Sequence, residues 1–400
     1  MEFDSRLLTH LGPAALLLKA ILLSLTGILL LLGFIVFRRW RRGRYFQQLN
    51  ERTYVIRAHW DGIISGQIPA SNWRLRPLDC SIVEAILLDS IETAAADQLP
   101  ALLRRLRDSG LLDMRIFEAR KLRGWRQRTA LVALGRTRAP EAVPALAEGL
   151  DSPSLDTRIA AVRGLGRTGL IEAAVPLLDC YVAEQLKVPE HILKNALVAC
   201  CRSYPSLLLG YLSQSRGPIR ELLARVLGEL AGSDLLDELL VLTADPLPEV
   251  RASAARALGN VKSSVALAAL AALSIDPVWF VRLRAVVALG SLEHPGRIKP
   301  LLHGLCDANR NVRQRAAWAL ARAEADLSTI LEQVIDSRDK YALQAFVSEL
   351  ERSGAMEKVI QVVVEHSQDA SGKLLLDALT SSKTVLQKGA LASAASAGGH

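Results

Sequence analysis

Three ten-residue segments of this chain align without a gap at a constant interval of 31 residues: VRASAARALG ending at Gly259, VRLRAVVALG ending at Gly290 and VRQRAAWALA ending at Ala321. Stepping by the same interval toward the N-terminus finds IRELLARVLG at Gly228, TRIAAVRGLG at Gly166 and RTALVALG at Gly135. Between Gly166 and Gly228 the register slips, and the best match, ILKNALVACC, ends at Cys201, four residues late. A period this short is the strongest constraint in the sequence. One unit is too small to bury its own apolar face, so successive units must stack and share a core.

Each unit has a second apolar stretch ahead of the aligned one, as in EAVPALAEGL (141–150), SVALAALAALS (264–274) and IKPLLHGLCD (298–307). Both stretches are rich in Ala and Leu at helical spacing, and only 5% of the chain is aromatic, which favours helix over strand. A turn containing Asp joins the two: TADPLPEVR, SIDPVWFVR and CDANRNVR, with Asp245, Asp276 and Asp307 each six residues before Arg251, Arg282 and Arg313. The Asp is expected to cap the helix or the turn beside it, and Pro246 and Pro277 to fix the chain there. The unit is therefore a pair of helices, and the small Ala positions let neighbouring helices approach closely.

This pattern resembles the HEAT repeat family, in particular its short bacterial, PBS-lyase-like form, over residues 125 to 322. The resemblance implies an all-α fold, a HEAT-type α-solenoid of helix pairs, in which the second helices line a concave surface that binds proteins. It continues more weakly to 385, where KYALQAFVSELERSG looks like a divergent repeat. Residues 80–124 are helical but off register and suit an N-terminal cap. The segment 386–400, rich in Ala, Gly and Ser, is expected to be disordered.

Ahead of the repeats lies a different kind of sequence. Residues 14–37 hold one charge, Lys19, and Ala20–Phe37 is an uncharged run of 18, about 27 Å as a helix and close to the thickness of a bilayer core. The acidic start MEFD and the abrupt end in FRRWRRGR argue for a transmembrane helix over a cleaved signal. Arg38, Arg39, Arg41, Arg42 and Arg44 outnumber Arg6 and Lys19 on the other flank, so residues 1–13 are expected outside and the repeats on the cytoplasmic face of the inner (plasma) membrane. Trp40 and Tyr45 would sit at the headgroups with these arginines. Residues 38–79 read as a basic juxtamembrane segment, with Gly62, Gly66, Pro69 and Pro77 breaking regular structure.

Charge follows the same division. Residues 1–60 hold nine Lys/Arg against three Asp/Glu, and the remainder 40 against 38, out of a total net charge of +8. A nucleic-acid-binding domain should carry its excess on the folded body, so that partner is not expected. Cys80, Cys180, Cys200, Cys201 and Cys306 lack CxxC spacing or paired His and suit apolar helix packing in a reducing compartment. The resemblance brings enzymes into view, since phycobilin lyases share this repeat type and deoxyhypusine hydroxylase binds two irons through repeated His-Glu pairs. Here the order is reversed, at Glu190–His191, Glu293–His294 and Glu365–His366, and the pairs fall at non-equivalent repeat positions. No P-loop, GxGxxG after a strand, or GxSxG elbow is present. No catalytic residue, cofactor or metal is therefore expected.

The candidate binding residues are those that break the repeat's own pattern. Trp279 and Phe280 occupy places held in sister repeats by Pro248 and Glu249 and by Arg310 and Asn311; they read either as an interface anchor or as packing against a neighbouring turn. Trp318 aligns with Arg256 and Val287 and reads either as a groove residue or as extra core. Arg163, Arg225, Arg256, Arg284 and Arg315 recur on the second helices where stacking does not need them, forming either a basic stripe for an acidic partner segment or a solvated, charge-balanced face. The function expected is a membrane-tethered adaptor or regulatory scaffold for a membrane-associated protein. The resemblance extends to anchored bacterial HEAT proteins that accompany membrane glycosyltransferases of exopolysaccharide synthesis. A HEAT-like lyase, and nucleic-acid binding through the stripe, are the alternatives.

Overall fold

The computed structural model describes the backbone of residues 3–323 and 327–354, and the side chains of 17–323 and 329–354. The expected tail at 386–400, the remainder of the last repeat at 355–385 and the Glu365–His366 pair lie outside the described residues. Within them the regular structure is helical, with no strand. By contact density the chain divides into two compact units, residues 1–117 and 118–400.

The first unit is organised by α1, a helix running from Phe3 to Ala58 without a break. The basic segment therefore continues the apolar helix. Arg, Gln and Glu are good helix formers, and a lone Gly43 costs too little to end it. Gly62 lies inside a short helix, Trp60–Ser65, and Gly66 ends that helix with φ 84°. From Leu17 to Phe37 the apolar side chains of α1 are exposed along the whole length of the run. Beyond it, Ile56 is buried, and Arg52 forks onto the buried Asp79 of the helix Pro77–Thr93, with Nε–Oδ1 at 2.8 Å and Nη2–Oδ2 at 2.5 Å. That hydrogen bonding holds the Asp79 carboxyl below the usual range against the opposing effect of burial. Arg115 makes the same two-pronged contact with Glu84.

In the second unit the helices alternate as the repeat predicts. The second helices of the pairs are Gly124–Arg136, Leu155–Thr168, Glu190–Cys200, Gly217–Leu230, Pro248–Leu258, Trp279–Ser291, Arg310–Ala321 and Lys340–Ser353. Each packs on the next. Their Ala and Leu positions are buried: Leu134, Leu165, Leu227, Leu258, Leu289 and Leu320 are at most 1% exposed. The residue that ends each aligned segment explains why it is small. A Cβ on Gly135 would lie 2.5 Å from the backbone of Gly164, one on Gly166 2.6 Å from that of Ala196, and one on Gly228 2.7 Å from the carbonyl oxygen of Ser253. These glycines set how closely neighbouring second helices approach. The irregular unit is accommodated by the helix Glu190–Cys200 and a tight turn at Cys201–Ser203. Its two cysteines are buried, and burial pushes the Cys200 thiol up to about 12 and that of Cys201 to about 11, so both stay protonated near neutrality.

The Asp of each turn caps as expected, Asp245, Asp276 and Asp307 accepting from the backbone N–H two residues on. The arginine six residues later does more than the spacing suggests. Arg251 donates through Nη1 to the carbonyls of Asp245 and Pro246 in its own turn, and through Nε and Nη2 to the carboxylate of Asp276 in the next repeat, at 2.8 and 3.0 Å. Arg282 repeats this with Asp276, Pro277 and Asp307. Arg220 reaches Asp245 through the same two nitrogens, both onto Oδ2, while its Nη1 donates to the carbonyl of Leu212. The result is a ladder of partly buried arginines, each tying one turn to its successor. Burial alone would raise the carboxyls of Asp276 and Asp307, but the arginine and backbone hydrogen bonds outweigh it and hold both below the ordinary range.

A carboxyl depressed in the folded state contributes stability that is complete above its unfolded value and lost as pH falls through the folded one. The melting temperature should therefore be level from pH 7 to about 5 and fall below that, followed by circular dichroism. Arg282→Ala leaves the Asp307 carboxylate without its arginine and should cost about 2–4 kcal/mol at neutral pH, with a shallower acid limb. Gly228→Ala, which drives a methyl against the Ser253 carbonyl, should cost about 1–3 kcal/mol by overpacking.

Candidate functional site

On the second helices Trp279–Ser291 and Arg310–Ala321 the buried Ala and Leu positions leave one exposed strip. It contains the places three, six and ten residues before the one that ends the aligned segment. In earlier second helices the place six residues back is buried, at Ala160, Leu222 and Ser253. In the helix Trp279–Ser291 these are Val287, Arg284 and Phe280, spaced i, i+4, i+7 and therefore on one face. Val287 and Arg284 are exposed and Phe280 is half-buried. Trp279 lies about 100° around the helix from Phe280 and is 43% exposed, with its ring perpendicular to that of Phe280 at 6.0 Å between centroids. In the next second helix, Arg315 and Trp318 occupy the equivalent places, and Trp318 is 41% exposed. The Arg322 guanidinium covers one face of the Trp318 ring at 4.7 Å. Trp318 is thus a surface residue, and Trp279 projects from the turn.

The arginine set divides into two kinds. Arg256 reaches back to Glu229 of the preceding repeat at 3.0 Å, and Lys194 holds the same carboxylate at 2.5 Å. Arg225 pairs with Glu190. These arginines bind within the array and do not belong to an open stripe. At the other end Arg322 donates to Glu349 at 2.7 Å. The pair joins the same two places in the sequence period as Glu229 and Arg256, with the charges exchanged, but Glu349 is buried, so this rung lies beneath the exposed strip. Between the two rungs the equivalent places hold Asn260 with Val287, and Ser291 with Trp318, and no ion pair forms there among the described residues. Arg284 and Arg315 fall in this gap. Both are exposed, and neither makes a hydrogen bond or ion pair among the described residues. The binding residues expected from the sequence are therefore brought together in part. Phe280, Arg284, Arg315 and Trp318 share the strip, Trp279 borders it, and Arg256 is committed to Glu229 at its edge.

Elsewhere the expected roles separate. Arg38, Arg39, Trp40, Arg41, Arg42 and Arg44 are exposed on α1. The Arg44 guanidinium lies 4.3 Å over the Trp40 ring, and that of Arg42 lies 5.6 Å over Phe46. His294 accepts from the N–H of Gly296 at the start of its turn, and Glu293 pairs with Lys262 at 3.3 Å on the surface. Among the described residues no three His, Cys, Asp or Glu side chains group as a metal site would need.

The sequence reading missed two features. One is the reach of Arg251 and Arg282 into the following repeat; the signal was a second recurrent spacing, Arg to Asp at 25 residues. The other is a cleft of about 340 Å³ between the last two described second helices, lined by Arg310, Arg313, Tyr341, Gln344, Glu349 and Arg352 among others.

Comparison with known proteins supports part of the expected span of 125 to 322. A family model described as HEAT repeats matches residues 124–190 and 205–290, and the interruption falls on the irregular unit. No curated protein matches the chain. Solved structures similar to it include an engineered protein (17% identity, TM-score 0.34, covering 76% of this chain and 96% of that one). Kap95p, from its complex with RanGDP, is 14% identical with a TM-score of 0.40, and the match covers 81% of this chain and 53% of that one. Human deoxyhypusine hydroxylase is 20% identical with a TM-score of 0.25, covering 68% and 97%. Residues 124–290 carry HEAT repeats, and the described chain is an all-α solenoid of helix pairs preceded by one long apolar helix.

Proposed function

We propose that this protein is a membrane-tethered, non-catalytic scaffold, its repeats of the short bacterial HEAT type, that holds a protein partner at the cytoplasmic face of the inner membrane. The observation that carries the binding role is the open interval in the surface strip. Two arginines without partners among the described residues lie beside Phe280 and Trp318, between the pairs Glu229–Arg256 and Arg322–Glu349. An array built only for stability gains nothing from unpaired like charges on adjacent helices, and exposed aromatic area of this kind marks binding surfaces. An acidic segment with apolar residues complements it, the charges steering and orienting and the rings supplying contact area.

The tether is supported by the exposed apolar length of α1, which is long and apolar enough to cross a membrane, and by the arginine and tryptophan belt directly after it. Five arginines within seven residues favour the cytoplasmic side for everything that follows. Anchoring raises the effective concentration of the strip for partners already in the membrane. A membrane glycosyltransferase of exopolysaccharide synthesis is one partner class consistent with this arrangement.

A reporter active only in the cytoplasm, fused after residue 400, should function, and the protein should resist alkaline extraction from membranes. Activity of a periplasmic reporter at the same position would reverse the orientation. Trp279→Ala with Phe280→Ala, and Arg284→Glu with Arg315→Glu, should each reduce crosslinked capture of the partner from membranes by at least tenfold without altering the helical spectrum. The arginine effect should be largest at low salt. Capture that survives both pairs of changes would place the binding surface elsewhere.

A further inference from the structure

The arginine ladder ends one rung early. Arg220, Arg251 and Arg282 each reach an aspartate 25 residues ahead. For Arg313 the structural counterpart of those aspartates is Ser337, whose Oγ accepts from the N–H of Asp339 as Asp307 Oδ1 does from that of Asn309. Asp339 itself accepts from the N–H groups of Tyr341 and Ala342 at the start of its own helix. Arg313 is otherwise placed as its predecessors are. Its Nη1 donates to the carbonyls of Asp307 and Ala308 at 2.7 and 2.9 Å, as Arg282 Nη1 does to Asp276 and Pro277. The edge formed by Nε and Nη2, which in Arg251 and Arg282 holds both oxygens of a carboxylate, meets no acceptor among the described residues. The Arg313 guanidinium carbon lies 5.4 Å from the centre of the Tyr341 ring, at the wall of the 340 Å³ cleft. Arg310 and Arg352 line the same cleft.

We propose that this cleft is a carboxylate receptor, and that an aspartate or glutamate of an acidic partner peptide completes the ladder at Arg313. The geometry is specified by the molecule itself. Arg251 and Arg282 bind a carboxylate through the same two nitrogens while their third holds the turn, so the ligand's shape and the direction of its approach are set by repetition. A guanidinium fork matched to two coplanar oxygens recognises a carboxylate more sharply than a single charge does. Tyr341 offers a flat apolar wall for the chain that carries the acid, and Arg310 supplies a further charge for a second acid in the same peptide. This rests on the reading of the solenoid as a protein-binding scaffold and names the chemistry of its partner.

The test is to fill the site from within. Ser337→Asp restores the missing rung at the place that Asp307 holds one repeat earlier. In full-length protein in detergent, a fluorescein-labelled decapeptide of alternating Asp and Gly should bind by anisotropy, and its Asn counterpart should not. Ser337→Asp should weaken that binding at least tenfold and raise the melting temperature. Ser337→Asn, which has nearly the same shape without the charge, should leave binding within about threefold. Arg313 itself is a poor target, because its loss also frees two turn carbonyls. Unchanged peptide binding or an unchanged melting temperature in Ser337→Asp would overturn the proposal. So would tighter binding of an oligothymidylate than of the Asp peptide with the same sensitivity to Ser337→Asp, or peptide binding that appears only after deletion of residues 355–400. The assay needs neither the natural partner nor a membrane, so its failure would leave the scaffold reading standing.

Discussion

The stacking of one helix pair on the next is what every other feature of this protein depends on, and it is held at two depths. In the core, glycines placed every 31 residues let the second helices approach to distances at which a single methyl group would collide with backbone. Nearer the surface, arginines span from one turn to the next and satisfy the turn's carbonyls and its neighbour's carboxylate at once. The two devices are complementary. Close packing is strong but tolerant of sliding along the helix axis, whereas a forked arginine with fixed acceptors on both sides pins the register. A buried ion pair adds little net stability over an apolar contact, but breaking one is costly, so the ladder penalises slippage more than it rewards folding.

The same logic accounts for where the surface becomes available. At two places the array matches a charge with the opposite one a repeat away, Glu229 with Arg256 and Arg322 with Glu349. Function is then read from the departures: the interval in which Arg284 and Arg315 have no partners among the described residues, and the last rung, where Ser337 stands in place of an aspartate. Both lie toward the C-terminal part of the described array, and both call for acidic ligands. A one-dimensional assembly with a strict internal rule makes such exceptions conspicuous, because each residue has several equivalents elsewhere in the chain to be judged against.

Much of the fold was legible before any coordinates. A 31-residue period with Ala and Leu at helical spacing leaves few alternatives to stacked helix pairs, and the slip of four residues before Cys201 marked an irregular unit at which the family match is interrupted. The candidate surface was legible in part. Trp279, Phe280 and Trp318 stood out because they violate the pattern, but sequence alignment gives a residue's place in the repeat without its angle around the helix. Phe280 proved to share a face with Arg284, and Trp279 to lie to one side. The arginine stripe was read as one feature and is two, because the carboxylates that neutralise Arg225 and Arg256 sit 35 and 27 residues away and are recognisable only once adjacent helices are in place.

By itself the sequence determined the elements: which stretches are helical, where they turn, that they must stack, and that the run before Arg38 is long and apolar enough to cross a membrane. Those are consequences of local propensity and of burial, and both are written in residue type and spacing. Tertiary structure decided the pairings. Whether Asp276 serves its own turn or the preceding repeat's arginine, whether a surface charge is matched or open, and whether Arg313 finds a carboxylate all depend on distances between chain segments 25 or more residues apart. In the last turn Ser337 takes the aspartate's place and Asp339 caps its own helix, which is enough to change the answer, because a guanidinium fork accepts a carboxylate only over a few tenths of an ångström and a narrow range of angles.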